Sequence, residues 1–182
     1  MREKRINNIY DYIIVGCGSS GLSLAWYLNK EFGHNHNILL IEKSFKQRKN
    51  KTWCFWDSQA IPEIIPINTS WNDLAFYSQE VAKSETLKNH SYNCLSSSFY
   101  EEIMIEELSN HKNIFWAEDT VKTIQESNLW VTVVAENCRY KARKVFQSNV
   151  SENDIAESEY LKQHFVGWKV KAKETIFNSD KA

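Results

Sequence analysis

The sequence predicts an α/β fold, and three observations carry that expectation. Residues 11–43 read as a strand, a glycine-rich turn, a helix and a second strand. Residues from about 113 to 147 read as a β-meander of short strands inserted after that βαβ core. The chain of 182 residues is also long enough, at 42% hydrophobic and 25% charged residues, to bury a core of its own.

Taken in order, Tyr12-Ile13-Ile14-Val15 is a continuous apolar run rich in β-branched residues, as expected of a strand covered on both faces. Gly16-Cys17-Gly18-Ser19-Ser20-Gly21 comes at once, and Leu22 to Phe32 then has helical spacing, with Gly33 placed to end it. Asn37 to Ile41 is a second buried strand with Glu42 at its carboxyl end. Lys43 to Lys51 carries five basic residues in nine and reads first as a solvated loop, with contact to ligand phosphates or to an anionic membrane as the alternatives. Strands are expected over Leu74–Val81 and Ser91–Leu95, and Ser98-Phe99-Tyr100-Glu101 has the spacing of a capping box opening a helix to about Asn110. The meander strands are expected at Ile114–Ala117, Val121–Gln125, Leu129–Ala135 and Arg139–Phe146.

The glycine spacing has a mechanical reading. Gly16 permits the tight exit from the strand, Gly18 lets a pyrophosphate approach the backbone, and Gly21 lets the helix lie close to the strand. The backbone N–H groups of Ser19, Ser20 and Gly21 would face the phosphates at the positive end of the helix. Glu42 stands 21 residues beyond Gly21, where a carboxylate meets a ribose hydroxyl pair and repels a 2′-phosphate. The expected cofactor-binding residues are therefore Gly16, Gly18, Ser19, Ser20, Gly21, Glu42 and the adjoining Lys43. The motif alone does not choose between FAD and NAD. A β-meander after the βαβ core, in place of further alternating strands and helices, resembles FAD-binding domains of the glutathione-reductase and aromatic-hydroxylase type, a FAD/NAD(P)-binding Rossmann-like class. That resemblance selects FAD.

Other classes are disfavoured. A net charge of −1 offers no general attraction to nucleic acid, and no nucleic-acid motif occurs. Cys17, Cys54, Cys94 and Cys138 lie about forty residues apart without a C-x-x-C pair, so neither a disulfide framework nor a metal site is expected. Met1 to Tyr10 is polar with no apolar stretch behind it, and no run is long enough to span a bilayer. A cytoplasmic protein is expected, with peripheral contact at the inner membrane as an added expectation.

Three blocks carry a more specific resemblance. Tyr12 to Ala25, then Lys51-Thr52-Trp53-Cys54-Phe55-Trp56-Asp57, then Gln163-His164-Phe165-Val166-Gly167-Trp168 stand in the order and spacing of the lycopene cyclase family. That resemblance implies an activity, a cofactor and a substrate. The family's bacterial β-cyclases close the ends of lycopene, or another acyclic carotenoid, to β-ionone rings by acid-initiated cation chemistry with no net redox change. By the same resemblance FAD is the cofactor, and NAD(P)H is the reductant of the flavin. Some of the aromatic residues would line a tunnel for the polyene, with Trp53, Phe55 and Trp168 as the candidates, although Trp and Phe most often fill cores. The family's F-L-E-E-T-like acidic segment matches nothing in residues 1–182. The chain is thus expected to be an N-terminal part, incomplete at the C-terminus and inactive alone, with no catalytic residue assigned. Residues 1–150 would form the first part of the FAD-binding domain, and 151–182 the start of a substrate-binding region. Phe146-Gln147-Ser148-Asn149 stands where related flavoproteins carry an acid–glycine turn, a departure from the pattern. A flavin-dependent oxidoreductase or monooxygenase and an inert nucleotide-binding module are the competing readings.

Overall fold

The structure is a computed structural model that describes residues 9–46, 50–56, 61–67, 69–148 and 173–174. The chain divides into two compact units. The first comprises Met1–Trp53, Ile61–Pro66 and Leu95–Asn149, and the second Cys54–Ala60, Ile67–Cys94 and Val150–Ala182. Trp168, the block Gln163–Trp168 and the expected strand near it lie outside the described residues, as does Asp57.

In the first unit the βαβ reading holds. Strand β1 (Ile9–Val15) leads into helix α1 (Ser19–Phe32), and strand β2 (Ile38–Glu42) pairs parallel to β1 with Ile13 beside Leu39 and Val15 beside Ile41. Helix α1 buries Leu22, Ala25, Trp26 and Asn29, the three- and four-residue spacing of a single helical face. Gly33 ends it at φ 61°, its N–H donating to the Asn29 carbonyl, and a single 3-10 turn over Gly33–Asn35 comes next. Helix α2 (Ser97–Ser109) packs against α1 and against β8 (Ile114–Glu118).

Three meander strands complete the unit: β9 (Val121–Glu126), β10 (Val131–Ala135) and β11 (Arg139–Gln147). The strand order is β8–β2–β1–β11–β10–β9. The expected meander over 113–147 is therefore narrower at its start. Ile114–Ala117 is buried throughout and pairs parallel to β2, Leu40 beside Trp116, which makes β8 part of the parallel sheet. At the other end, β11 is shared. Its first residues pair antiparallel with β10, and Lys141 to Gln147 run parallel to β1.

Strands β8 and β9 stand at opposite ends of this order, yet only Asp119 and Thr120 separate them. The sheet must therefore curl, laying the meander over one face of the parallel strands. The buried cluster agrees. Ile13, Val15, Leu39, Ile41, Phe115 and Ala117 from the parallel strands meet Val133, Ala135, Tyr140 and Ala142 from the meander. Ile14 points the other way, toward α1, so the helices cover the opposite face. The result is a meander, a parallel sheet and a helical layer, the α/β arrangement expected.

The capping-box spacing puts the start of α2 slightly late. The helix begins at Ser97, and no side-chain cap from Ser96 is made. Instead, the side-chain oxygen of Asn50 accepts hydrogen bonds from the Ser98 backbone N–H at 3.3 Å and the Ser96 hydroxyl at 2.9 Å, while the Lys51 carbonyl accepts the Ser97 N–H at 2.8 Å. Residues 50 and 51 thus supply the cap expected from the local sequence.

The second unit is made of short strands. Cys54–Trp56, the end of strand β3 (Thr52–Trp56), stands in a sheet of order β3–β7–β4, with β4 (Thr69–Trp71) antiparallel to β7 (Tyr92–Ser96). The single strand expected over Leu74–Val81 is a hairpin, β5 (Asp73–Tyr77) and β6 (Ala82–Thr86). The chain turns because the Ser78 hydroxyl accepts the Val81 N–H at 3.0 Å and the Ser78 N–H donates to the Val81 carbonyl at 2.7 Å. No helix among the described residues is long and apolar enough to cross a membrane.

Candidate nucleotide site

At the carboxyl ends of β1 and β2 the first unit opens a cleft of about 320 Å³ lined by Cys17, Gly18, Ser19, Ser20, Glu42, Lys43, Ser44, Lys51, Trp53, Glu101 and Ser148. Five of the seven expected cofactor residues line it, and the other two, Gly16 and Gly21, shape it from beneath. Gly16 adopts φ 94°, a backbone that only glycine enters freely, and a Cβ there would meet the Ser148 hydroxyl at 2.2 Å. A Cβ on Gly21 would lie 1.9 Å from the Gly16 carbonyl oxygen. Gly18 is different. Nothing in the chain lies within 4 Å of a Cβ placed on it, so its smallness serves the open cleft rather than the packing.

Helix α1 begins at this opening with Gly18 as N-cap, no side-chain cap and no acidic residue in its first turn. The first helical hydrogen bond is made by the Leu22 N–H to the Gly18 carbonyl, at 3.0 Å. The N–H groups before it have no intrahelical acceptor and carry the positive end of the helix dipole. An anion of diphosphate size is well matched to that surface.

Glu42 is held firmly. Its carboxylate accepts the Cys17 N–H at 2.7 Å and the Lys43 N–H at 3.0 Å, tying the turn after β1 to the end of β2. A carboxylate at this place is the group type that accepts hydrogen bonds from a ribose hydroxyl pair. Beyond Glu42 lies a second hollow of about 160 Å³, lined by Val15, Gly16, Ile41, Glu42, Lys43, Asp119, Thr120 and Val121. Its outer wall depends on Asp119, which is buried and accepts hydrogen bonds from the Thr120 N–H at 2.9 Å, the Asn137 N–H and amide at 3.1 Å, and the Tyr140 hydroxyl at 3.2 Å.

Sequence reasoning missed Glu101 and the Asp119 turn, took Lys51 only as part of a basic loop, and left a cofactor contact at Ser148 in doubt. Ser148 donates both its N–H and its hydroxyl to the Val15 carbonyl, at 3.0 and 3.1 Å, and so fastens the end of β11 beneath the glycine turn. Trp53 lines the cleft and meets Tyr100 edge-on at 5.4 Å between ring centroids. Tyr100 in turn bonds the Ser23 hydroxyl, and its own hydroxyl donates to the Ser19 carbonyl at 3.4 Å, bracing the first turn of α1. Burial pushes the Tyr100 hydroxyl up to about 12, against the opposing effect of the Ser23 hydrogen bond. Phe55 is half-buried on β3 and lines neither hollow, and Trp168 lies outside the described residues. Among the described residues no group of three His, Cys, Asp or Glu side chains is placed to hold a metal ion.

Comparison with solved structures gives the same architecture. The chain is similar to p-nitrophenol 4-monooxygenase PnpA from Pseudomonas putida, with a TM-score of 0.65 at 14% identity over 82% of this chain and 42% of that one. It is also similar to CtdE in complex with FAD and a substrate, with a TM-score of 0.58 at 15% identity over 77% of this chain and 37% of that one. A variant of the halogenase PltM in complex with FAD gives 0.58 at 14% identity, over 78% and 34% of the two chains. The chain therefore spans less than half the length of each of these solved proteins. No curated protein sequence matches it. A family model described as lycopene cyclase protein matches residues 11–182, nearly the whole chain and both units, so the chain belongs to the lycopene cyclase family.

Proposed function

We propose that this chain is the N-terminal, FAD-binding portion of a lycopene β-cyclase-like enzyme, one that closes the ends of lycopene to β-ionone rings in carotenoid biosynthesis. The observation that supports it best is the open space above Gly18, framed by an uncapped helix N-terminus and a fixed carboxylate, in a chain of this family. Two similar folds hold FAD in their own solved structures, which supports FAD as the dinucleotide.

In this reading the free N–H groups of Ser19, Ser20 and Gly21 hold the diphosphate, and Lys43 and Lys51 add positive charge at the rim of the cleft. Glu42 accepts the adenosine ribose hydroxyls. The hollow bounded by Val15, Ile41 and Val121 takes the adenine ring. Bound flavin, reduced by NAD(P)H, would supply negative charge beside a carbocation without passing electrons to product. The general acid is assigned to none of residues 1–182, and the chain by itself is expected to leave lycopene acyclic. Lys43, Lys46 and Lys51, on the loop after β2, suit contact with an anionic bilayer from which a water-insoluble carotenoid is drawn, at about 1 kcal/mol per basic residue near the surface. That reading makes it a cytoplasmic protein peripheral to the inner membrane.

A flavin-dependent monooxygenase is the second reading, supported by the likeness to PnpA in fold alone. One measurement tests the site and a second separates the readings. Titration with FAD should give saturable binding that Gly18→Val abolishes; equal affinity in the two proteins would overturn the site. The whole gene product, supplied with lycopene, FAD and NADPH, should yield cyclic carotenoid with no net oxidation. Oxygenated product would favour the monooxygenase instead.

A further inference from the structure

The cysteines show no disulfide pattern along the chain, but folding brings two of them together. Cys54 stands on β3 and Cys94 on β7, neighbours in the sheet of order β3–β7–β4, and both belong to the second unit. Contacts at the two ends fix how these strands are matched. At the start of β3, the Ser97 N–H donates to the Lys51 carbonyl at 2.8 Å, and the Ser97 hydroxyl accepts the Lys51 N–H at 2.8 Å. At its far end, the rings of Trp56 and Tyr92 lie 4.7 Å apart between centroids. The strands therefore run antiparallel, with Thr52 beside Ser96 and Trp56 beside Tyr92. That register sets Cys54 directly opposite Cys94, each at the middle of its strand.

The ladder decides what two opposed cysteines can do. The hydrogen bond from the Ser97 N–H to the Lys51 carbonyl brackets the pair 52 and 96, which makes it a non-hydrogen-bonded pair. Alternation gives the pair 54 and 94 the same character. Cα atoms in such a pair lie about 4.5 Å apart, within the span of about 4.4–6.8 Å that a disulfide bridges. Both side chains leave the sheet on one face, the face of Trp56 and Tyr92. The Tyr92 hydroxyl is close to both sulfurs: its ionisation is pushed up first by a hydrogen bond with Cys54, then by burial, then by negative charge at Cys54 and Cys94. Cys54 is exposed and Cys94 half-buried, so core filling does not account for the pair.

We propose that Cys54 and Cys94 form a reversible redox pair, closing to a cross-strand disulfide when a low-molecular-weight disulfide such as oxidised glutathione accumulates. The thiolate of Cys54, the more exposed, attacks one glutathione sulfur and releases one glutathione thiol that carries away the Cys54 proton. The thiolate of Cys94 then attacks the Cys54 sulfur and expels the second glutathione with the Cys94 proton. Two protein thiols are oxidised to one disulfide, and one glutathione disulfide is reduced to two thiols. The bond holds β3 against β7 and closes residues 54 to 94, with β4, β5 and β6 among them, into a covalent loop. Its exposure leaves it open to reduction, as in labile rather than structural disulfides. Neither the cofactor nor the substrate enters this argument.

The test places the purified 182-residue chain in buffers of set reduced-to-oxidised glutathione ratio. Oxidation should lower the four titratable thiols of the unfolded chain by two. After trypsin without reductant, residues 52–83 and 89–112, which hold one cysteine each, should run as a single mass. In Cys94→Ser the reaction should stop at a glutathione adduct on Cys54, about tenfold or more above its level in wild type, where the opposed thiol displaces it. Cys138→Ser should keep the bridge. Thermal melting of the reduced variants checks that they are folded. Oxidised wild type should melt above the reduced protein, a rise that dithiothreitol reverses and Cys94→Ser lacks. Separate glutathione adducts at residues 54 and 94 with no joined peptide, or a bridge to Cys17 or Cys138, would overturn the pairing. A joined peptide that persists in excess reduced glutathione would overturn its reversibility.

Discussion

Gly18 and Gly21 stand one helical turn apart, yet their substitution should fail for opposite reasons. A Cβ at Gly18 meets no atom of the chain within 4 Å, and the backbone there, at φ −74°, is extended and open to any residue. Gly18→Val should leave the melting temperature within a degree or two of wild type and remove nucleotide binding. Gly21→Ala drives a methyl group into the Gly16 carbonyl and should cost about 2 kcal/mol or more in thermal unfolding. A Gly18→Val protein as unstable as Gly21→Ala would mean that Gly18 is a packing residue after all. Tyr100 allows a second prediction at this scale. An unfolded tyrosine ionises near 10, and burial holds Tyr100 neutral to about 12. Below pH 10 both states carry the proton, so the contribution is fully present. Between about 10 and 12 the unfolded chain ionises first, and stability should fall as pH rises, by roughly 2–3 kcal/mol in total. Tyr140, buried and beside Asp119, is shifted in the same direction. Denaturant unfolding across that range should therefore show a shallower loss in Tyr100→Phe than in wild type. An identical slope would sink the assignment.

At the scale of elements, a sequence announces some boundaries and conceals others. β1, α1 and β2 were legible because each has its own signature: unbroken apolar runs for the strands and a three- and four-residue apolar spacing for the helix. β8 was legible as a strand, but its partner was not, because nothing in Ile114–Ala117 says whether the neighbour runs parallel or antiparallel. The β5–β6 turn was hidden because Ser-Gln-Glu-Val lacks glycine and proline, and the hydroxyl of Ser78 takes their place. The strand at Thr52–Trp56 was hidden for a different reason: four of its five residues are bulky or apolar, which blurs the alternation that only its burial reveals. The cap of α2 is the clearest case, since Asn50 lies 46 residues before Ser96 in the chain and no local pattern connects them. Asn50→Ala should cost about 1 kcal/mol by leaving the first turn of α2 uncapped, whereas Asn50→Asp keeps the acceptor and should cost much less. Equal loss from both, by denaturant unfolding, would show that the cap contributes nothing. Asp119 is the comparable joint at the head of the meander. Its replacement by Ala removes the acceptor of four hydrogen bonds, two of them from Asn137 and one from buried Tyr140, and should cost about 3 kcal/mol.

For the whole molecule, the family match covers both units, but the nucleotide cleft draws only on residues of the first. An aromatic groove lined by Trp56, Phe76 and Tyr92 draws only on residues of the second. The glycine turn was readable because its chemistry lies in six consecutive residues. The groove was not, because Trp56, Phe76 and Tyr92 meet only after three strands and a hairpin have formed. That division should be visible in hydrogen exchange on the intact chain. FAD at a hundredfold excess over its dissociation constant stabilises the state that binds it by about 2.7 kcal/mol, enough to slow local opening around the site by roughly a hundredfold. Protection is expected at the amides of Cys17 to Gly21 and of Lys43, with the strands from Thr69 to Cys94 unchanged. Equal protection of both sets of amides would mean that the second unit responds to the nucleotide, and the cleft could then no longer be treated as the property of the first unit alone.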